Sequence, residues 1–206
     1  MEIVKAQGAG RGIRNPSLAG RPSDEETLEV GASTSQRPSH AIVNVAERPE
    51  LLPDLAAWLK REWSGYYAGG APGGPAAPMS TAQIEDDLRP WLDATCIPLG
   101  LVALEGGMIV GTVALREFAL HTQPRYRPGV GGLHVLETHR RRGIGTALLR
   151  AGTDAARALG YPEVYVSTSV VGGILARLGW EEVETVLHYG EAQTIFRYRV
   201  NVKREA

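Results

Sequence analysis

Apolar residues recur along this chain with two different periods, and the switches between them mark its elements. Leu99 to Leu104 and Met108 to Leu115 are apolar runs joined by Glu105-Gly106-Gly107. The pattern predicts two strands and a tight hairpin, because paired glycines accept the positive φ angles such turns need. Ala41 to Val45 predicts an earlier strand. Leu52, Leu55, Leu59 and Trp63 then mark the buried face of a helix whose first turn suits Pro49. Ser80 and Gln83 have capping-box spacing, so a second helix runs to about Leu88, beyond which Pro90 interrupts it. Between these helices Ser64 to Pro78 is rich in Gly, Ala and Pro and reads as a mobile loop.

Further on, Leu133, Val135 and Leu136 predict a short strand that ends in a basic turn. Ile144, Ala147, Leu148, Ala151, Ala155, Ala158 and Leu159 follow with the spacing of one helix face, and Gly160 with Pro162 ends it. Arg116 to Pro128 reads as a polar loop, and Pro128-Gly129-Val130-Gly131-Gly132 enters the strand. Glycines weaken a strand unless a backbone or ligand approaches closely. Glu163 to Ser167 predicts a strand, Gly172 to Leu178 a short helix, and Trp180 to Leu187 with Thr194 to Val200 a closing antiparallel pair. The order β-α-α-β-β-β-α-β-α-β-β is that of an α/β fold, a mixed sheet with helices on both faces.

The strand, basic turn and helix between Leu133 and Leu159 can hold a phosphate. The first turn of a helix offers unpaired N–H groups and the positive end of the dipole. Gly143 and Gly145 let a diphosphate approach the backbone. Arg140, Arg141 and Arg142 add positive potential. As a dinucleotide fingerprint the run fails, because Leu148 stands at the third glycine, and no Gly-Lys-Ser/Thr of a P-loop follows.

What remains, Arg140-x-x-Gly143-x-Gly145, resembles the pyrophosphate-binding turn of the GNAT superfamily of N-acetyltransferases. Val135 five residues ahead of Arg140, the strand Val164-Tyr165-Val166, Arg177-Leu178-Gly179-Trp180 and the closing segments come in that family's order. The resemblance covers roughly Ala41 to Val200, and implies a GNAT-type mixed central sheet whose fourth and fifth strands splay apart. It also implies acetyl-CoA as co-substrate, with Arg140, Arg141, Arg142, Gly143, Ile144, Gly145 and Thr146 at the pyrophosphate. Leu133, His134 and Val135 would align pantetheine through main-chain groups. Trp63, Tyr66 and Tyr67, near the segment that walls the acceptor site, become candidate substrate contacts. Helix-end packing is an equal reading for Trp63.

Direct acetyl transfer to a primary amine in a ternary complex needs a neutral amine, a donor for the oxyanion and a proton for the departing thiolate. Glu117, where relatives often carry an acid, and His134 are the candidate bases, with His134 ranked above His121 and His188. The oxyanion donor is expected to be a backbone N–H near Val135. Leu175 stands where many members of the family place the tyrosine that protonates the thiolate, and leucine cannot donate. Ser167, Thr168 and Ser169 are weak substitutes. This departure keeps a second reading open, a non-catalytic acetyl-CoA-binding sensor or interaction module.

Composition narrows the partners. A net charge of -1 over 206 residues argues against a general nucleic-acid binder. A lone cysteine, Cys96, excludes an intramolecular disulfide and reads as a buried thiol. No His/Cys/Asp/Glu cluster has metal-ligand spacing. No long apolar run or leader pattern is present, so the expectation is a soluble cytoplasmic protein without a membrane partner. A small-molecule or peptide amine is the expected acceptor, and the family often forms homodimers. Residues 1 to 39, dominated by Gly, Ser, Arg, Pro and Glu, read as a disordered N-terminal extension ahead of a domain at 40–206.

Overall fold

The computed structural model describes residues 40–170 and 172–200. The expected N-terminal extension at 1–39 therefore lies outside the described residues. The elements are β1 (Ala41–Asn44), α1 (Leu52–Glu62), α2 (Ser64–Tyr67), α3 (Thr81–Leu88), β2 (Leu99–Glu105), β3 (Met108–Arg116), β4 (Gly129–Val135), α4 (Ile144–Ala158), β5 (Glu163–Thr168), α5 (Gly172–Arg177), β6 (Glu181–His188) and β7 (Glu191–Arg199). Short 3-10 turns occupy Val45–Glu47, Pro49–Leu51, Arg89–Leu92 and Glu137–His139. Among the described residues no helix is long and apolar enough to cross a membrane.

The strands form one seven-stranded sheet in the order β1-β2-β3-β4-β5-β7-β6. Every neighbouring pair is antiparallel except β4 and β5, which run parallel. Alternation along β2 separates two cores. Val102 and Leu104 face α1, α2 and α3, whereas Leu101 and Ala103 face the side covered by α4. On the α4 side Ile144, Leu148 and Leu149 pack over Val110, Leu115 and Val130. The expected helices on both faces are thus present.

The parallel pair is the feature that positions the site. Gly129, the first residue of β4, and Tyr165, the third of β5, are its single registered pair. Beyond it β5 pairs fully with β7 on its other side, from Glu163 against Arg199 to Thr168 against Thr194. β4 meanwhile bends. Thr112 pairs with His134 and Ala114 with Gly131, so Gly132 and Leu133 together oppose Val113. This is a bulge on β4, with Gly132 at φ 63 taking the left-handed position that favours glycine. The two strands part into a wedge toward their C-terminal ends.

Four segments differ from the sequence-based expectation. β4 begins at Gly129 rather than Leu133, because the polypeptide crosses it too closely for side chains: a Cβ on Gly129 would lie 2.3 Å from Ala119 N. The stretch read as a mobile loop starts with α2, and its Tyr66 and Tyr67 are buried, their rings edge-on at 5.1 Å. Tyr66 donates its hydroxyl to the Gly73 carbonyl, and Met79 N donates to the Tyr67 carbonyl, so both ends of the stretch are pinned. The loop after β3 carries its own buried cluster, Ala119, Leu120 and Tyr126 against Tyr165 and Ile195. Cys96 is exposed, its thiol donating to Asp93 Oδ2 at 3.3 Å, which raises its pKa.

Candidate functional site

The basic turn is shaped by its backbone. Arg140 is extended, Arg141 takes φ 61 and Gly143 φ 84, so the chain reverses sharply into α4. Gly143 caps that helix without a side-chain hydrogen bond. The first-turn N–H groups, and the dipole of fifteen residues behind them, are aimed outward. A Cβ on Gly143 would meet nothing within 4 Å, and one on Gly145 only Val135 Cγ2 at 3.8 Å. Ile144, 1% exposed, anchors the turn in the core below.

The three arginines are not equivalent. Arg140 donates Nε to the Val135 carbonyl at 3.0 Å, which ties the turn to the end of β4. Arg142 pairs with Glu105 at 2.6 Å, and His139 Nε2 lies 3.3 Å from the same carboxylate. Glu105, at the tip of the β2–β3 hairpin, was not singled out by sequence. It fixes Arg142 of the turn from 37 residues away, and the His139 ring meets the same carboxylate.

Beside the turn, the wedge opens into a cavity of about 200 Å³. Gly131, Gly132 and Leu133 line it from β4, Val166 to Thr168 from β5 with Ser169 just beyond it, and Leu175 from α5. The bulge therefore sits on the cavity wall, and a bulge leaves its extra residue outside the strand ladder. Leu175, 0% exposed, presents only methyl groups at the tyrosine position. Trp63, Arg116, Leu120, His188 and Gln193 close the opposite side.

Of the residues singled out from sequence, Trp63, Leu133, Ser167, Thr168, Ser169, Leu175 and His188 border this cavity. Tyr66 and Tyr67 do not: they pack in the α1–α3 core. Glu117 does not border it either; it is exposed, with Arg127 Nη2 at 3.7 Å. The reason is parity. Arg116 precedes it on the strand and turns inward, so Glu117 turns away.

His134 faces the α1 side, as its alternation with Leu133 and Val135 predicts. Its ring lies between Trp58 and Trp63, with centroids 5.4 Å from each, and Nε2 is 3.2 Å from Glu62 Oε2. Burial holds the imidazole below the usual histidine pKa, and the Glu62 carboxylate opposes that only in part. His134 lies behind Trp63 rather than on the cavity wall. Glu62 is 72 residues away in sequence, which hid the pair from sequence reasoning.

The imidazole that does line the cavity is His188, 3% exposed. Its Nδ1 lies 2.9 Å from Thr122 Oγ1, and the neighbouring Tyr189 hydroxyl lies 2.8 Å from His121 Nε2. The available signal was its position, last in β6 and followed by the Tyr189-Gly190 turn, both residues at positive φ.

The chain matches the acetyltransferase (GNAT) family over residues 52–186. An N-alpha-acetyltransferase of Sulfurisphaera tokodaii is 42% identical over 65 residues, 29% of this chain and 39% of that protein. The match thus spans well under half of that relative's length. The fold is similar to yncA of Salmonella typhimurium, solved with its cofactor acetyl-CoA, at a TM-score of 0.59 and 15% identity over 81% of this chain and 96% of that one. It is also similar to a phosphinothricin acetyltransferase of Sinorhizobium meliloti in complex with acetyl-CoA, at 0.55 and 16% over 78% and 88%. These two likenesses concern the fold, and the family match covers the turn, the wedge and most of the cavity. The chain belongs to the acetyltransferase (GNAT) family.

Proposed function

We propose that this chain is an acetyl-CoA-dependent N-acetyltransferase that passes the acetyl group to a primary amine by direct attack in a ternary complex. The observation that carries the reading is the β4/β5 wedge, one registered pair wide, opening beside a helix N-terminus that has no side-chain cap. In this reading Arg140 to Thr146 receive the pyrophosphate, and the main chain of Leu133, His134 and Val135 aligns pantetheine. The thioester then reaches the cavity at the Gly132–Leu133 bulge. The bulge supports an oxyanion donor there, two or three residues before the Val135 N–H expected from sequence.

The amine nitrogen attacks the thioester carbonyl, the C–N bond forms, and the C–S bond breaks to release coenzyme A. The amine loses a proton and the thiolate gains one. His188 borders the cavity with Nδ1 held against Thr122, so it is the base in this reading. His134 and Glu62 hold Trp63 in place on the acceptor side. Glu117 is too far out on the surface to take part unless an acceptor extends there.

Leu175 favours a second reading, a module that binds acetyl-CoA without turning it over, because this wall of the cavity has no acid to protonate a thiolate. Calorimetry of the full chain with acetyl-CoA, with dephospho and NAD controls, tests the site. Thiol release with a panel of amines separates enzyme from module. No binding of acetyl-CoA would sink both readings, and binding without release for any amine would leave only the second.

A further inference from the structure

A second cavity, of about 210 Å³, lies between the flank of α4 and the C-terminal end of α5. We propose that it binds a nucleoside phosphomonoester, the phosphate held by Arg150 and Arg177 and the base set against Trp180 and Tyr198. The ribose phosphate of the coenzyme and a free nucleotide share that chemistry, and the test separates them. The coenzyme source rests on the acetyltransferase reading; the free nucleotide does not.

Position sets this cavity apart from the wedge. Leu149 borders both, and Arg150 follows it on α4. At 1.5 Å per residue, Arg150 is two helical turns and about 10 Å along α4 from Gly143. A phosphate resting on the turn into α4 therefore leaves these two arginines to another group.

Charge gives the sign of the ligand. Arg150 and Arg177 come from separate helices, and no Asp or Glu is among the described residues that line the cavity. Neither guanidinium has an ion pair or side-chain hydrogen bond among the described residues. The nearby acids are engaged elsewhere. Asp154, four residues on from Arg150 at the usual helical pairing distance, pairs with Arg157 instead. Glu181, just past Arg177, is held by Arg197 at 2.8 Å and faces Arg199 at 3.8 Å. The negative end of α5 is muted as well, because the Ile174, Leu175 and Ala176 carbonyls accept from the N–H groups of Leu178, Gly179 and Trp180. Two guanidinium forks on one cavity with no carboxylate between them match a phosphate dianion.

The aromatic side gives the rest of the ligand. The Trp180 and Tyr198 rings lie 5.3 Å apart, tilted by 43°, with Trp180 buried and Tyr198 half-buried. A flat base stacks on such a surface, which inorganic phosphate cannot use. Thr153 donates its hydroxyl to the Arg150 carbonyl at 2.7 Å and retains an acceptor oxygen for a base or ribose donor.

The test is calorimetry on the full chain. If the ligand is the coenzyme's ribose phosphate, acetyl-CoA should bind about 10- to 100-fold more tightly than its dephospho form, the span of one charged hydrogen bond. Arg150→Gln and Arg177→Gln should each bring that ratio toward one and leave the affinity of the dephospho form unchanged. If the ligand is a free nucleotide, adenosine 3′-monophosphate should bind the chain already saturated with acetyl-CoA. Adenosine should not, and the same two substitutions should weaken the nucleotide by a similar factor. Arg157→Gln removes the same charge from the same helix outside the cavity and should change neither result. Urea midpoints show that the variants are folded. The proposal is overturned if no phosphate dependence is found in either arm, if both substitutions leave it intact, or if Arg157→Gln abolishes it equally. If acetyl-CoA itself does not bind, the acetyltransferase reading fails, and nucleotide titration of the coenzyme-free chain decides this site alone.

Discussion

Replacing Gly131 with alanine would place a methyl group 2.1 Å from Nη2, 2.5 Å from Cζ and 2.8 Å from Nε of Arg116. Each distance is shorter than real Cβ contacts, and all three nearest atoms belong to the same side chain. The φ of Gly131 lies outside the left-handed region, so alanine meets no backbone strain. The guanidinium must therefore move, giving up its bond to the Ala119 carbonyl. A hydrogen bond from a charged group contributes about 1.5–3 kcal/mol, which sets the expected loss of stability for Gly131→Ala. In an Arg116→Ala background the obstacle is gone. There the same glycine change should cost nothing, or stabilise by about 0.4–1 kcal/mol through the unfolded chain. Urea unfolding followed by tryptophan fluorescence gives the four corners of this cycle, with an expected coupling of about 1.5–3 kcal/mol. An equal cost in both backgrounds would refute the claim that Arg116 lies over Gly131.

Three further outcomes follow from the site. Gly145→Asp puts a carboxylate in the anion turn where only Val135 Cγ2 is near, and adding Gly143→Asp completes the charge reversal. Acetyl-CoA binding should vanish in both variants while Gly145→Asp keeps the native urea midpoint; retained affinity in calorimetry would remove the turn from the site. His134 titrates below its ordinary value of 6.5 when folded, so the unfolded chain takes up its proton first. Stability should be complete above that pH and decline as pH falls below it; parallel pH profiles for the parent and His134→Gln would contradict this. His188→Gln should lower kcat by about 10²- to 10⁴-fold while acetyl-CoA still binds. An unchanged kcat would exclude His188 as the base.

Local rules make much of the fold legible in the sequence. The β2–β3 hairpin could be read because Gly106 and Gly107, at φ 57 and 83, do what the sequence spelling requires. The capping box of α3 involves only Ser80 and Gln83, three positions apart, and forms as written. The turn into α4 is likewise a short-range pattern. What escaped depends on register. Bulges shift strand faces by one residue, so whether Arg116 or Glu117 turns inward is decided by pairing across the sheet and not by either residue's type. Glu62 meeting His134, and Glu105 meeting Arg142, are contacts between separate elements that no local spacing encodes. Tyr66 and Tyr67 open a stretch whose turn-formers spell a mobile loop, which makes them candidate substrate contacts, yet the helix face they continue is apolar and draws them into its core.

The same register explains why the chemistry is placed on one side of the cavity. Leu175 and Val166 make the α5 and β5 walls apolar close to where a thiolate would depart, so proton transfer from those walls is unavailable unless Ser167 to Ser169 supply it. Ser167 donates its hydroxyl to the Ala119 carbonyl, the oxygen that also receives Arg116. That shared carbonyl joins β5, the loop after β3 and the guanidinium into one polar seam along the acceptor side, with His188 and Gln193 beside it.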